Sequence, residues 1–150
     1  MMTPEQRDLV HDLVGTPPSG QGQISKKAFR RQFPEALERE SLAFPLLAQA
    51  WEDKSAEDVQ CALIVGFVFD FSPRHEDLLC QLALADWHMS HEDVVSALEK
   101  IGATSDKAVD TLYEVTQLSP PYLAYDDYRA LAVKAIGRSE KQPEPALRLN

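Results

Sequence analysis

The strongest constraint on this fold is a pattern of apolar residues that repeats every 35 residues. At this offset Val59 corresponds to Val94, and further matches are Ala62/Ala97/Ala132, Leu63/Leu98/Val133, Ile101/Ile136 and Gly102/Gly137. Each period skips one predicted helix, so the repeating unit is a helix pair. Repeats of about 35 to 47 residues with two helices each are typical of α-solenoids. Because no segment alternates apolar and polar residues, we expect an all-α fold. It would be a short α-solenoid of stacked antiparallel helix hairpins, with an irregular helical bundle as the alternative.

Helix boundaries are predicted from capping residues. Hydroxyl residues precede six apolar periodic segments, which is typical of a helix start; they are Thr3, Ser25, Ser55, Ser72, Ser90 and Ser105. Ser55 and Ser90 also have an acid three residues on, as in a capping box. Gly102 is predicted to close the helix that follows Ser90 as a left-handed C-cap. We expect the helix that starts at Ser72 to extend to Trp87, and Pro45 to kink its helix.

A chain of 150 residues is long enough for one domain with a buried core. We therefore predict a single helical domain over residues 1–150. Residues 1–24 would form an N-terminal helix and a mobile loop, residues 25–138 the helical stack, and residues 139–150 a frayed tail.

The negative charge is concentrated in the middle of the chain. Residues 52–99 contain 11 acidic and 2 basic residues, whereas the flanking segments balance to zero, so this third carries the whole net charge of −9. Such a surface repels nucleic acid and anionic membranes, and it favours a basic partner. The chain has no long apolar run and no secretory leader pattern at its start, so we expect a cytoplasmic protein.

Two segments carry a resemblance to a known family. They are Trp-His-x-x-His-Glu-Asp at residues 87–93 and Tyr-x-x-Tyr-Asp-Asp at residues 122–127. Together with the repeat, they make residues 25–138 similar to bacterial HEAT-repeat proteins, whereas residues 138–150 depart from that pattern. Proteins of this kind are often encoded in polymorphic-toxin and contact-dependent inhibition loci. There they resemble immunity proteins that bind and block a toxin domain.

Catalytic and metal chemistry are weakly supported by the residues. His88, His91 and Glu92 have the side chains of a metal site, but Ser90 as N-cap places the two histidines off a common helical face, and we predict no metal and no cofactor. We expect His88 to bond a local carbonyl and Trp87 to pack into the corner. Cys61 and Cys80 are read as buried free thiols. No catalytic motif is present, so we expect no enzyme activity; the enzyme alternative would be a HEAT-like lyase.

Paired acids open the corresponding helix of successive hairpins. They are Glu57/Asp58, Glu92/Asp93 and Asp126/Asp127, spaced 35 and then 34 residues apart. A single acid is enough to complement a helix dipole. In a stack the pairs would align as an acidic edge, either as a solvated row of helix starts or as a binding surface. Tyr122, Tyr125 and Tyr128 would supply aromatic anchors near one end of the edge.

The resemblance to HEAT-repeat proteins of toxin loci implies the function of a cytoplasmic immunity protein. It would neutralise a cognate toxin, expected to be basic, by occlusion and electrostatic steering. The alternative is a HEAT-type adaptor that joins cellular proteins.

Overall fold

The computed structural model describes residues 1–14, 24–32, 43–103 and 105–118. These ranges contain seven α-helices and one short 3-10 helix, with no strand, which confirms the all-α prediction. The chain divides into two compact units, the first ending at Phe71 and the second starting at Ser72. The assignment of all residues to one domain stays a prediction. The predicted loop at 16–23, the helix at 126–136 and the tail at 139–150 lie outside the described residues.

The first unit is built around its longest helix. It contains α1 (Pro4–Val14), α2 (Lys26–Gln32), α3 (Ala43–Asp53) and α4 (Ala56–Phe69). Helix α4 packs against both α1 and α3, and α2 packs against α1. A helix that is covered on several sides needs apolar residues around most of its circumference. The α4 sequence meets this need, with Val59, Cys61, Ala62, Leu63, Val65 and Gly66 all buried.

Side-chain caps fix the starts of three helices in this unit. The N–H of Gln6 donates to Thr3 Oγ1 at 3.1 Å, and the N–H of Thr3 donates to Gln6 Oε1 at 2.9 Å, forming a capping box. The hydroxyls of Ser25 and Ser55 accept from backbone N–H groups three residues on, at 3.0 and 3.2 Å. The predicted starts at Thr3, Ser25 and Ser55 are therefore confirmed.

Pro45 lies where a helix tolerates proline, and the kink expected there stays a prediction. It is the third residue of α3, which continues to Asp53. The N–H groups of the first helical turn have no acceptor within the helix, so a proline there removes no hydrogen bond.

The second unit has α5 at its centre. A 3-10 turn (Pro73–His75) leads into α5 (Glu76–Leu84), which packs against both α6 (His91–Lys100) and α7 (Asp106–Val115). The interior is formed by fully buried side chains from the three helices, among them Leu79, Leu82, Val94, Leu98 and Leu112.

Helices α5 and α6 end with different backbone conformations. Helix α5 stops at Leu84, so the prediction that it reaches Trp87 was wrong; the chain leaves the helix at Ala85, which has extended backbone. Helix α6 ends as predicted, with Gly102 at φ +64°. Gly102 N–H donates to the carbonyl of Glu99 at 3.0 Å and Ala103 N–H to that of Leu98 at 3.2 Å, which is the Schellman pattern.

The described helices show part of the predicted repeat. Each corresponding pair of apolar residues in α4 and α6 is buried: Val59 with Val94, Ala62 with Ala97, and Leu63 with Leu98. The 35-residue offset therefore identifies inward-facing positions of both helices. The third copy lies outside the described residues, and the stacked solenoid stays a prediction.

Gly66 provides a test of packing within the first unit. The ring of Phe71 covers it so closely that a Cβ atom at residue 66 would lie 2.1 Å from Phe71 Cε1. Alanine is favoured over glycine in a helix by about 1 kcal/mol, but this overlap forces the ring away from Phe67, its edge-to-face neighbour at 5.1 Å. We expect Gly66→Ala to lower the free energy of unfolding by about 1–3 kcal/mol, measured by urea unfolding.

The control for Gly66→Ala removes the obstructing ring. In a Phe71→Ala background the same substitution should become stabilising by up to about 1 kcal/mol, because only the helix preference remains. Trp51 emission in a Trp87→Phe background reports on this unit alone, since these are the two tryptophans of the chain. A gain in stability from Gly66→Ala with Phe71 intact would contradict the packing argument.

Candidate binding surface

The predicted acidic edge is distributed over both units and beyond the described residues. Glu57 and Asp58 lie in the first turn of α4, and Glu92 and Asp93 lie in the first turn of α6. Tyr122, Tyr125, Asp126, Asp127 and Tyr128 lie outside the described residues. The alignment of these acids into one edge therefore stays a prediction.

Asp58 has a structural role inside the first unit. Asp58 is buried, and its two carboxylate oxygens accept hydrogen bonds from Arg7 Nε at 2.8 Å and from Met2 N–H at 2.9 Å. The bond to Asp58 is the main reason that the pKa of Arg7 is raised. Glu57 is exposed and lies 3.7 Å from Arg7 Nε. The Asp58 carboxylate therefore ties α1 to α4 and is not part of an exposed acidic edge.

The second unit keeps three acids at its surface near one corner. Asp86 lies between α5 and α6, and Glu92 and Asp93 open α6; all three are exposed. No ion pair engages them within the described part of the chain. By contrast, Glu76 accepts a hydrogen bond from the Ser105 hydroxyl, and Asp77 lies 3.3 Å from Lys107 Nζ.

The sequence around this corner contains no lysine or arginine. Residues 75–99 include six acidic residues and no Lys or Arg. Exposed like charges without nearby counter-charges produce a negative potential that attracts cationic groups and is weakened by salt. The corner between α5 and α6 therefore has a negative surface.

Two stacked histidines hold this corner together. Their rings lie 4.1 Å apart at an interplanar angle of 16°. His88 Nε2 donates to the carbonyl of Leu82 at 2.7 Å, and His91 Nε2 donates to that of Ala85 at 2.6 Å. His88 Nδ1 accepts from the N–H of Ser90 at 3.0 Å. These bonds add to the cap at the end of α5, where the Leu82 carbonyl also accepts from the N–H of Ala85 at 3.2 Å.

The hydrogen bonds also define the chemical state of the pair. Since His88 Nδ1 accepts a hydrogen bond and Nε2 donates one, this ring is neutral. Burial lowers the pKa of both His88 and His91, and it does the same for His75. The prediction that His88 bonds a local carbonyl is confirmed. The described residues contain no group of three or more metal-binding side chains placed around a common point.

The corner exposes apolar side chains beside its acids. Met89 is 69% exposed and Leu84 is 37% exposed, whereas Trp87 is half-buried, with its ring edge-to-face to His88 at 5.4 Å. Sequence reasoning assigned Trp87 to packing and overlooked Met89 and Leu84. An available signal was the position of Met89 directly after His88, which was expected to bond a local carbonyl.

The two cysteines lack the features of nucleophiles. Both Cys61 and Cys80 are buried and free, as predicted. Burial raises the pKa of Cys61 to about 11, and it raises that of Cys80 as well. Since the thiolate is the reactive form, both thiols are unreactive at neutral pH.

Comparison with known proteins adds no family assignment. The chain matches no family model, no curated protein and no solved structure. Among the described residues, none of the helices combines the length and the apolar character that crossing a membrane requires. The resemblance to HEAT-repeat immunity proteins therefore stays a prediction.

Proposed function

We propose that this protein is a cytoplasmic binding protein that blocks a basic protein partner, in the manner of an immunity protein that neutralises a toxin. The observation that carries the proposal is the acidic corner of the second unit. Three exposed carboxylates lie there, in a stretch of 25 residues without lysine or arginine. A toxin that acts on nucleic acid carries a basic surface of the complementary sign.

The chemistry of the described residues supports binding more than catalysis. Cys61 and Cys80 are neutral buried thiols. Both ring nitrogens of His88 and the Nε2 of His91 form hydrogen bonds with the backbone. What remains at the surface is charge and apolar area, and these are the components of a protein-binding surface.

Co-expression with a toxin domain tests the proposal. The toxin domain encoded beside this gene should co-purify with the chain, and the chain should restore growth to cells that express that domain. Binding without rescue would favour the adaptor alternative. If the chain neither rescues growth nor co-purifies with the toxin domain, the immunity proposal is wrong.

The corner acids should control the rate of association. We expect Glu92→Lys/Asp93→Lys to slow association about tenfold at low ionic strength and to flatten its salt dependence, measured by stopped-flow or surface-based kinetics. The matched control is Glu52→Lys/Glu114→Lys, which changes the net charge equally at exposed positions of α3 and α7. Circular dichroism must show both variants folded, because lysines at a helix start oppose the dipole. If the two double variants associate with the partner at equal rates, the corner does not take part in the first encounter with the partner.

A further inference from the structure

We infer that the corner between α5 and α6 is the contact patch for a basic segment of a protein partner, and that it receives an apolar side chain of that segment. The patch consists of Leu84, Asp86, Trp87, Met89, Glu92 and Asp93. This inference rests on the proposed function, since it names the part of the surface that the partner covers.

The combination of side chains defines the occupant. A methionine 69% exposed and a half-buried tryptophan provide an adaptable apolar surface, and such residues are enriched where proteins bind each other. The neighbouring carboxylates favour a segment rich in lysine or arginine. A second copy of the chain is disfavoured because each copy carries a net charge of −9, and nucleic acid is disfavoured for the same reason.

The backbone of the patch is fixed before any partner arrives. His88 and His91 bind carbonyls at the end of α5, and His88 also accepts from the N–H of Ser90 on the far side of Met89. Met89 is thus presented from a short segment that is hydrogen-bonded on both sides. A surface ordered in advance loses less conformational entropy on binding.

Methyl NMR tests the patch directly. The chain has three methionines, and Met89 is the only one outside the first two residues, so a sample labelled at the methionine methyl groups gives three signals. The probes are two synthetic peptides of equal length and charge, one alternating lysine with leucine and the other lysine with serine. We expect the Lys/Leu peptide to shift the Met89 signal and to bind at least about fivefold more tightly than the Lys/Ser peptide.

Variants assign the interaction to the corner. Met89→Ser should weaken binding of the Lys/Leu peptide at least about fivefold. Tyr113→Ser removes an exposed aromatic residue of α7 and should leave binding unchanged. Since Met89 is largely exposed, its replacement should not unfold the unit. A Met89 signal that does not move with either peptide overturns the inference, as does equal binding by Met89→Ser and the unchanged protein.

The toxin experiment separates this inference from the proposed function. If Met89→Ser binds the toxin domain as tightly as the unchanged chain, the patch is wrong and the immunity function stands. If the Lys/Leu peptide shifts Met89 but the toxin domain neither binds nor is neutralised, the patch stands and the immunity function fails.

Discussion

Replacing His88 with alanine should lower the free energy of unfolding of the second unit by about 3–5 kcal/mol. The change leaves the Ser90 N–H without its acceptor, which costs about 1–3 kcal/mol for a buried group. It also removes one of the two donors to the Leu82 carbonyl, which keeps the N–H of Ala85 at 3.2 Å. It also leaves a space next to His91, since His88 is 2% exposed. Urea unfolding followed by Trp87 emission in a Trp51→Phe background measures the second unit alone.

The glutamine variant separates hydrogen bonding from ring packing at His88. His88→Gln can place an amide N–H near the Leu82 carbonyl, so it should lose clearly less stability than His88→Ala. Replacement of His11, a half-buried histidine of α1, by glutamine is the matched control and should leave the second unit unchanged. If His88→Ala and His88→Gln are equally stable, the bond to Leu82 contributes little and the interpretation of the corner is wrong.

The same variant should change the pH dependence of stability. The pKa of His88 is lowered in the folded unit, chiefly by burial and further by His91, whereas the hydrogen bond to Leu82 opposes the shift. The unfolded chain therefore binds protons more readily, and stability falls as the pH drops below about 6.5 toward the folded pKa. Burial lowers the pKa of His91 in the same way, although its hydrogen bond to Ala85 and the charge of Asp86 oppose the shift, and the lowered pKa of His75 adds a third contribution. Between pH 7.5 and 5.5, the free energy of unfolding should fall less in the His88→Gln variant than in the unchanged protein.

The sequence was most informative about helix starts and inward-facing residues. Ser55 and Ser105 accept from the N–H groups predicted for caps, and Gly102 adopts the predicted left-handed conformation. These features depend on a few neighbouring residues, so local rules identify them. The offset of 35 residues likewise pointed to buried positions in α4 and α6.

The errors arose where tertiary bonds decide the outcome. Trp87 continues the apolar period of α5, but the bonds from His88 and His91 to Leu82 and Ala85 cap the helix before it. In the sequence, Asp58 has the same position at a helix start as Asp93, yet its carboxylate accepts a hydrogen bond from Arg7. A pairing across 51 residues cannot be read from local pattern, because other acids in the chain have the same local context.

Replacing Arg7 should strongly destabilise the first unit, because Arg7 forms an ion pair with Asp58. Arg7 is 19% exposed and donates to Asp58, whose side chain is 3% exposed, so the deeper charge belongs to the carboxylate. Arg7→Met would leave that carboxylate buried with the Met2 N–H as its remaining described donor. We expect the thermal midpoint of the first unit to fall by roughly 10 °C or more, measured by Trp51 emission in the Trp87→Phe background.

The reciprocal variant should be less damaging, and the double variant should recover stability. Asp58→Leu leaves Arg7 able to turn toward Glu57, which is 3.7 Å away and exposed. Arg7→Met/Asp58→Leu replaces a charged pair by apolar side chains of similar size, a change that is often neutral in protein interiors, but it leaves the buried Met2 N–H without its acceptor. The expected order of midpoints is the unchanged protein, then the double variant, then Asp58→Leu, then Arg7→Met. An Arg7→Met variant as stable as the unchanged protein would show that Asp58 does not need this partner, and the tie between α1 and α4 would then rest on apolar contacts such as Val10 and Leu13.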